Sequence, residues 1–333
     1  MNMPKNFSIK GVGKYLPKNC LESHEIEAEL GLPSQWYAQR VGVETRYRVT
    51  DETCTQMGVE ALREALSDAQ MEISDLDGII AASATFDYVI PNRSTLIKEA
   101  FFEAETLDFP CFDINTVCTS FITALDYAST LLQGEEYQNI AIVSSEIASH
   151  GLSSNRPETY GLFGDAAAAV IVSKSSTGEN LRYMQKTYSE GVRSTIIRGG
   201  GNAYHPKNNP YEMDLYSFDM AGTHLLRIVN KYIYDYMDRF FEKTSTHLSE
   251  VDWIVPHQTS LFGMNLLTKI NRGKSDNIIN QLSVYGNCVA ASIPLTLVNS
   301  IKEGVIKEGD RCLLLGTAAG VSICGLLLNY SKS

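Results

Sequence analysis

Two stretches of this chain repeat the same order of strand, turn and helix, and that internal repeat constrains the architecture more than any other feature. Ser74-Asp75-Leu76-Asp77-Gly78-Ile79-Ile80 and Ser249-Glu250-Val251-Asp252-Trp253-Ile254-Val255 each pass from a polar turn ending in Asp into a short apolar run. Such runs after turn signals read as buried strands. Each follows a helix-like stretch: Gln56 to Gln70 in one half, and Gly222 to Phe241, with Leu225, Leu226, Ile228, Val229 and Ile233, in the other. In a second pair, Cys111 to Ile114 leads to Cys118, the helix-like Phe121 to Leu132, Gly134 and the strand-like Ile140 to Val143. Its counterpart runs from Gln281 to Val284, then through Asn287, Ile293 to Ile301, Gly304 and the strand-like Cys312 to Leu315. Two halves with elements alternating in the same order predict layered α/β units, one over 1–175 and one over 176–333. This alignment gives Asn287 the place that Cys118 holds in the first half.

Strand-turn-helix also bears on chemistry. A Cys118 that begins a helix sits beside free backbone N–H groups and the positive end of the helix dipole, both of which lower a thiol pKa. Pseudo-symmetry then brings both helix starts toward one central site. Taken singly, Cys118 reads as a small buried thiol, His257 beside Pro256 as a turn or core histidine, and Asn287 after Gly286 as a turn.

The charge balance narrows the partners. Lys and Arg number 28 against 39 Asp and Glu in 333 residues, so the formal charge is −11. That lacks the broad basic footprint of a nucleic-acid binder. No apolar run approaches the roughly 20 residues that span a bilayer, and the N-terminal segment shows no signal peptide. The seven cysteines are odd in number, scattered and without a CxxC pair. They predict reduced thiols, no metal site and a soluble cytoplasmic protein. Arg198-Gly199-Gly200-Gly201 lacks the GK[ST] of a phosphate loop and reads as an ordinary loop.

Three segments in order carry a family resemblance. Phe112-Asp113-Ile114-Asn115-Thr116-Val117-Cys118-Thr119-Ser120-Phe121, Val255-Pro256-His257-Gln258 and Tyr285-Gly286-Asn287-Cys288-Val289-Ala290-Ala291-Ser292-Ile293-Pro294 resemble beta-ketoacyl-acyl carrier protein synthase III, of the thiolase superfamily. Trp36 with Arg40-Val41-Gly42-Val43-Glu44-Thr45-Arg46, Phe163-Gly164-Asp165-Ala166, and the closing loop from Leu315 to Ser322 are similar to further family segments. The resemblance spans Phe7 to Tyr330.

The resemblance implies a homodimer of thiolase-like, duplicated five-layered αβαβα subunits and a ping-pong decarboxylative Claisen condensation. Cys118 would take the acyl group from a thioester as a covalent intermediate. His257 and Asn287 would donate to the malonyl thioester oxygen as it becomes an enolate. Backbone N–H groups of Cys118 and of the closing loop at Ala319 and Gly320 would bind the oxyanion. No metal or redox cofactor is implied; the substrates are an acyl-coenzyme A or acyl carrier protein and a malonyl thioester on either carrier. Gly164 and Asp165 read as a tight turn near the site.

The same resemblance nominates substrate contacts and marks departures. Trp36 and Arg40 match an adenine-stacking Trp and a nearby Arg, and Phe163 heads the central turn. Phe262 stands where the family has a cation that grips coenzyme A, and Arg156, beside Pro157, is the nearest substitute for another. Ile90 replaces a phenylalanine that reaches the partner subunit's acyl pocket. Weaker phosphate contacts and a smaller Ile90 predict an unusual acyl primer, delivered on coenzyme A or on a carrier protein. Other readings are an acyltransferase with His257 as general base and a silent partner subunit of a ketosynthase heterodimer. A thiolase needs a second cysteine, for which Cys324 stands beside a loop core of Ala318-Ala319-Gly320. A 3-hydroxy-3-methylglutaryl synthase needs a glutamate such as Glu99 or Glu103.

Overall fold

The computed structural model describes residues 6–101, 106–175 and 181–332. Nine strands form two sheets. The first has the order β1-β7-β6-β4-β5, from β1 (Phe7–Tyr15), β4 (Gly78–Ala82), β5 (Cys111–Ile114), β6 (Asn139–Glu146) and β7 (Ala166–Lys174). The second has the order β11-β12-β13-β8, from β8 (Arg182–Thr187), β11 (Trp253–Pro256), β12 (Arg311–Ala318) and β13 (Ser322–Asn329). β4 runs parallel to β6, and β11 runs parallel to β12; β7 and β13 then return antiparallel. The predicted repeat is therefore present in strand direction as well as in order. Two small hairpins lie outside the sheets, β2 (Asn19–Glu22) with β3 (Thr45–Arg48) and β9 (Thr195–Ile196) with β10 (Asp219–Met220).

The layers follow from which faces are apolar. From Ala166 to Ser173 every residue of β7 is buried, the near-continuous apolar run of a strand covered on both faces. α5 (Ser120–Leu131) and α10 (Ser292–Lys302) sit between the sheets, where Phe121, Leu125, Ile293 and Val298 share one core with β1, β7, β12 and β13. α3 (Cys54–Ala69) and α4 (Arg93–Glu99) cover the outer face of the first sheet. α7 (Gly222–Thr244) and α8 (Leu261–Ile270) cover the outer face of the second. The result is the expected αβαβα sandwich. Short helices α1 (Ser23–Leu30), α2 (Trp36–Arg40), α6 (Pro157–Tyr160) and α9 (Leu282–Tyr285) complete the connections.

Local signals explain the ends. Thr53 caps α3, its side chain accepting from Gln56 N–H while the Gln56 side chain accepts from Thr53 N–H. Pro294 falls in the first turn of α10, where a missing N–H costs nothing. The sequence places Gln281 to Val284 opposite a strand, but the chain there is helical (α9); the strand-like contact is made earlier, by Ile278 against Ile254. Among the described residues, no helix is long and apolar enough to cross a membrane.

Candidate active site

The site begins with two matching turns that precede the two central helices. Val117 has φ 57° and Val289 φ 49°. A β-branched residue in the left-handed region is strained and needs outside support. An asparagine supplies it in each half: Asn115 Oδ1 accepts from Val117 N–H at 2.9 Å, and Asn287 Oδ1 accepts from Val289 N–H at 2.9 Å. The next hydrogen bond repeats too, Thr116 N–H donating to Ser120 Oγ at 3.0 Å and Cys288 N–H to Ser292 Oγ at 2.9 Å. Asn287 is therefore the counterpart of Asn115, and Ala290 that of Cys118. The alignment expected from sequence was tied to Gly134 and Gly304, which follow helices that end differently, and it slips by these few residues.

Both turns face one cavity of about 180 Å³ whose wall includes Cys118, His257, Asn287, Ala319 and Phe163. His257 follows β11, and its N–H donates to Leu315 O at 2.8 Å. It is 4% exposed, and burial pushes its pKa down to about 4, so the imidazole is neutral at neutral pH. Its Nδ1 has no hydrogen-bond partner among the described residues. Asn287 is fixed at both ends: its N–H donates to Leu162 O at 2.9 Å and its side-chain amide to Thr259 O at 3.2 Å. Gly286 permits this approach. It has φ 66°, and a Cβ there would lie 2.4 Å from Leu162 O.

Cys118 lies in a 3₁₀ turn, Val117–Thr119, that leads into α5. The expectation of a lowered thiol pKa is not met: burial pushes it up to about 12, and the nearby Glu146 carboxylate adds to the rise. The helix-start effect is present but smaller, since the backbone N–H groups of Cys118 and Ala319 reach the sulfur and favour the thiolate. Desolvation wins because Cys118 opens into an apolar cavity rather than into bulk water.

The other nominated residues divide. Phe163 lines the cavity and stacks on Phe218 with centroids 4.7 Å apart. Asp165 ties a turn together, accepting from Val49, Ala148 and Ser149 N–H at 2.8–2.9 Å. Arg40 lies 5.6 Å over the Trp36 ring, outside the cavity wall. Arg156 is engaged by Asp219 and by Phe218 O. Phe262 is 60% exposed and Ile90 85% exposed, so neither lines the cavity of its own chain. Gly320, at φ 136°, turns the chain from β12 to β13 beyond Ala319. Cys324 is buried on β13, outside the wall, and Glu99 closes α4. Glu103 lies outside the described residues. Among the described residues, no group of three or more His, Cys, Asp or Glu could hold a metal ion.

Sequence reasoning missed two features. Leu225, Val229 and Ile233 of α7 line the cavity, although their helical spacing reads as ordinary core. Glu146, buried at the end of β6, accepts from Ala84 and Thr85 N–H at 2.6 and 2.8 Å and faces the Cys118 region. A lone acid ending an apolar strand was its only signal.

A family model described as 3-oxoacyl-[acyl-carrier-protein (ACP)] synthase III matches residues 112–190, and its C-terminal companion matches residues 241–330. The chain is 30% identical over 323 residues to beta-ketoacyl-[acyl-carrier-protein] synthase III of Aquifex aeolicus, covering 97% of this chain and 99% of that one. The namesake of Vesicomyosocius okutanii is 29% identical over 328 residues, covering 98% and 100%. The crystal structure of the Aquifex enzyme superposes with a TM-score of 0.87 at 28% identity over 98% of this chain and all of that one. A priming β-ketosynthase of a polyketide pathway shares the fold, with a TM-score of 0.86 at 22% identity over 100% and 99%. The chain belongs to the 3-oxoacyl-[acyl-carrier-protein] synthase III family.

Proposed function

We propose that the protein is an acyltransferase that condenses an acyl group carried on Cys118 with a malonyl thioester, in fatty-acid or polyketide-type biosynthesis. The observation that carries the reading is the single cavity where Cys118, a neutral His257, the Asn287 amide and the Ala319 backbone converge.

In the first step the Cys118 sulfur attacks the carbonyl of an acyl thioester. The backbone N–H groups of Cys118 and Ala319 donate to the oxyanion, the old carbon–sulfur bond breaks, and the thiol proton ends on the departing thiol. In the second step the malonyl thioester loses its carboxylate as carbon dioxide, and the electron pair moves onto the thioester oxygen as an enolate. His257 and Asn287 donate to that oxygen, and a neutral imidazole can do so without first losing a charge. The enolate carbon then attacks the Cys118 acyl carbon, and the sulfur leaves to regain a proton.

The exposed apolar run Phe86, Tyr88, Val89 and Ile90, at 55–85% exposure, supports a homodimer in which this loop meets a partner subunit. Seven free cysteines among the described residues suit a reducing cytoplasm. The test is intact mass spectrometry of wild type and Cys118→Ala with acyl thioesters on coenzyme A and on acyl carrier protein, followed by malonyl thioester. An adduct on wild type alone that then yields carbon dioxide and a lengthened product supports condensation. Transfer to an alcohol or amine without carbon dioxide overturns it.

A further inference from the structure

We infer that Gln258 is a positioning residue that holds His257 and Asn287 in register with each other, which rests on reading those two as the donors to the enolate oxygen. Gln258 is 2% exposed and does not line the cavity, although both its neighbours, His257 and Thr259, do. Its side-chain amide makes three hydrogen bonds. Nε2 donates to Pro256 O at 2.9 Å and to Ile279 O at 3.1 Å, and Oε1 accepts from Gln281 N–H at 2.9 Å. Two carbonyls need two donor hydrogens and an N–H needs an acceptor. A carboxamide offers that combination, and here in one orientation only.

The fold explains why such a group is needed. β11 is the edge strand of the second sheet, and its open side is met by residues 277–279. Ile254 N–H donates to Asn277 O at 2.8 Å, and Ile279 N–H donates to Ile254 O at 3.0 Å. Past these bonds the two segments part, one into His257 and the other into α9 and on to Gly286 and Asn287. Gln258 bridges the fork. Its backbone continues into Thr259, whose carbonyl accepts from the Asn287 side-chain amide. Behind it, the buried Asn299 of α10 donates to Gln281 Oε1 at 2.9 Å and accepts from the Lys14 ammonium. One side chain thus ties the strand end that carries His257 to the helix start that leads to Asn287. Two donors aimed at one oxygen cooperate only while their spacing is held, and a misplacement of about 1 Å can cost about 100-fold.

The test uses the two half-reactions, since loading of Cys118 calls on neither donor and decarboxylation calls on both. Gln258→Met keeps the bulk and removes all three bonds. Loading is followed with hexanoyl-coenzyme A by intact mass, and the second step by carbon dioxide release from malonyl-coenzyme A. Gln258→Met, checked by melting temperature, is expected to load close to the wild-type rate and to release carbon dioxide about 10- to 100-fold more slowly. If Gln258→Met does not fold, Gln258→Glu, which keeps the acceptor and loses the donors, decides by the same ratio. Equal losses in the two steps, as a general weakening of the fold would give, overturn the inference. No carbon dioxide from wild type sinks the condensation reading and the role of Gln258 with it, whereas wild-type release that a folded variant matches sinks only the role of Gln258.

Discussion

Asn115 and Asn287 occupy the same turn in the two halves and do different work. Each accepts a hydrogen bond from the N–H of a valine held in the left-handed region. Asn115 is exposed on the protein surface, and its task ends there. Asn287 is 6% exposed, and its amide nitrogen, unused by the turn, donates to Thr259 O at the cavity wall. Duplication thus supplied two copies of a strained turn. Burial of one copy against the other half converted a structural amide into a donor, while the other copy placed a cysteine three residues further along.

Alanine scanning of the pair breaks or sharpens this comparison. Asn287→Ala removes both the turn bond and the donor, and condensation is expected to fall about 100- to 1000-fold, measured by carbon dioxide release. Near-wild-type activity would remove Asn287 from the proposed mechanism. The Cys118 half makes its own prediction: because burial holds the thiol up near 12, alkylation by iodoacetamide rises about a hundredfold from pH 7 to pH 9, following the thiolate fraction. A plateau near pH 7 would instead mean an activated resting thiolate.

His257 marks the second half by acid sensitivity. Its folded pKa of about 4 lies below the ordinary histidine value of 6.5. Between these values the unfolded chain binds the extra proton, so stability is full above pH 6.5 and falls as pH drops, levelling off below pH 4. Urea unfolding should show about 2 kcal/mol lost to this group between pH 6.5 and pH 5, and His257→Asn should lose correspondingly less. An unchanged slope in His257→Asn would count against the buried neutral imidazole. The smallest effect belongs to Asn115→Ala, which loses only the turn bond. It should cost about 1 kcal/mol in urea and lower condensation less than tenfold. A loss equal to that of Asn287→Ala would erase the distinction between the halves.

Much of this is legible in the sequence alone. The repeated strand-turn-helix order predicted layered α/β units in two halves, because apolar periodicity and turn residues are local properties; the five-layered arrangement was what the family resemblance implied. The Phe112–Phe121, Val255–Gln258 and Tyr285–Pro294 motifs named Cys118, His257 and Asn287, and the fold brings them to one cavity. The substrate-side nominations fared differently. Phe163 lines the cavity, whereas Trp36, Arg40 and Arg156 lie outside its wall. Their placement depends on how separate segments cross, which residue type does not encode.

What the sequence determined by itself was most of the elements, their repeated order and the candidate site residues, since these follow from patterns within a few turns of chain. Only the tertiary structure decided the register of the repeat, the protonation states and the shape of the substrate space. Val117 and Val289 carry no sign of positive φ until their hydrogen bonds are seen. The thiol expected to be activated by a helix start is instead raised by burial, and His257 is neutralised by the same cause. Leu225, Val229 and Ile233 share a helical stripe that reads as core. Whether such a stripe meets packed side chains or an empty cavity depends on the helix opposite, and that is settled only when distant segments fold against each other.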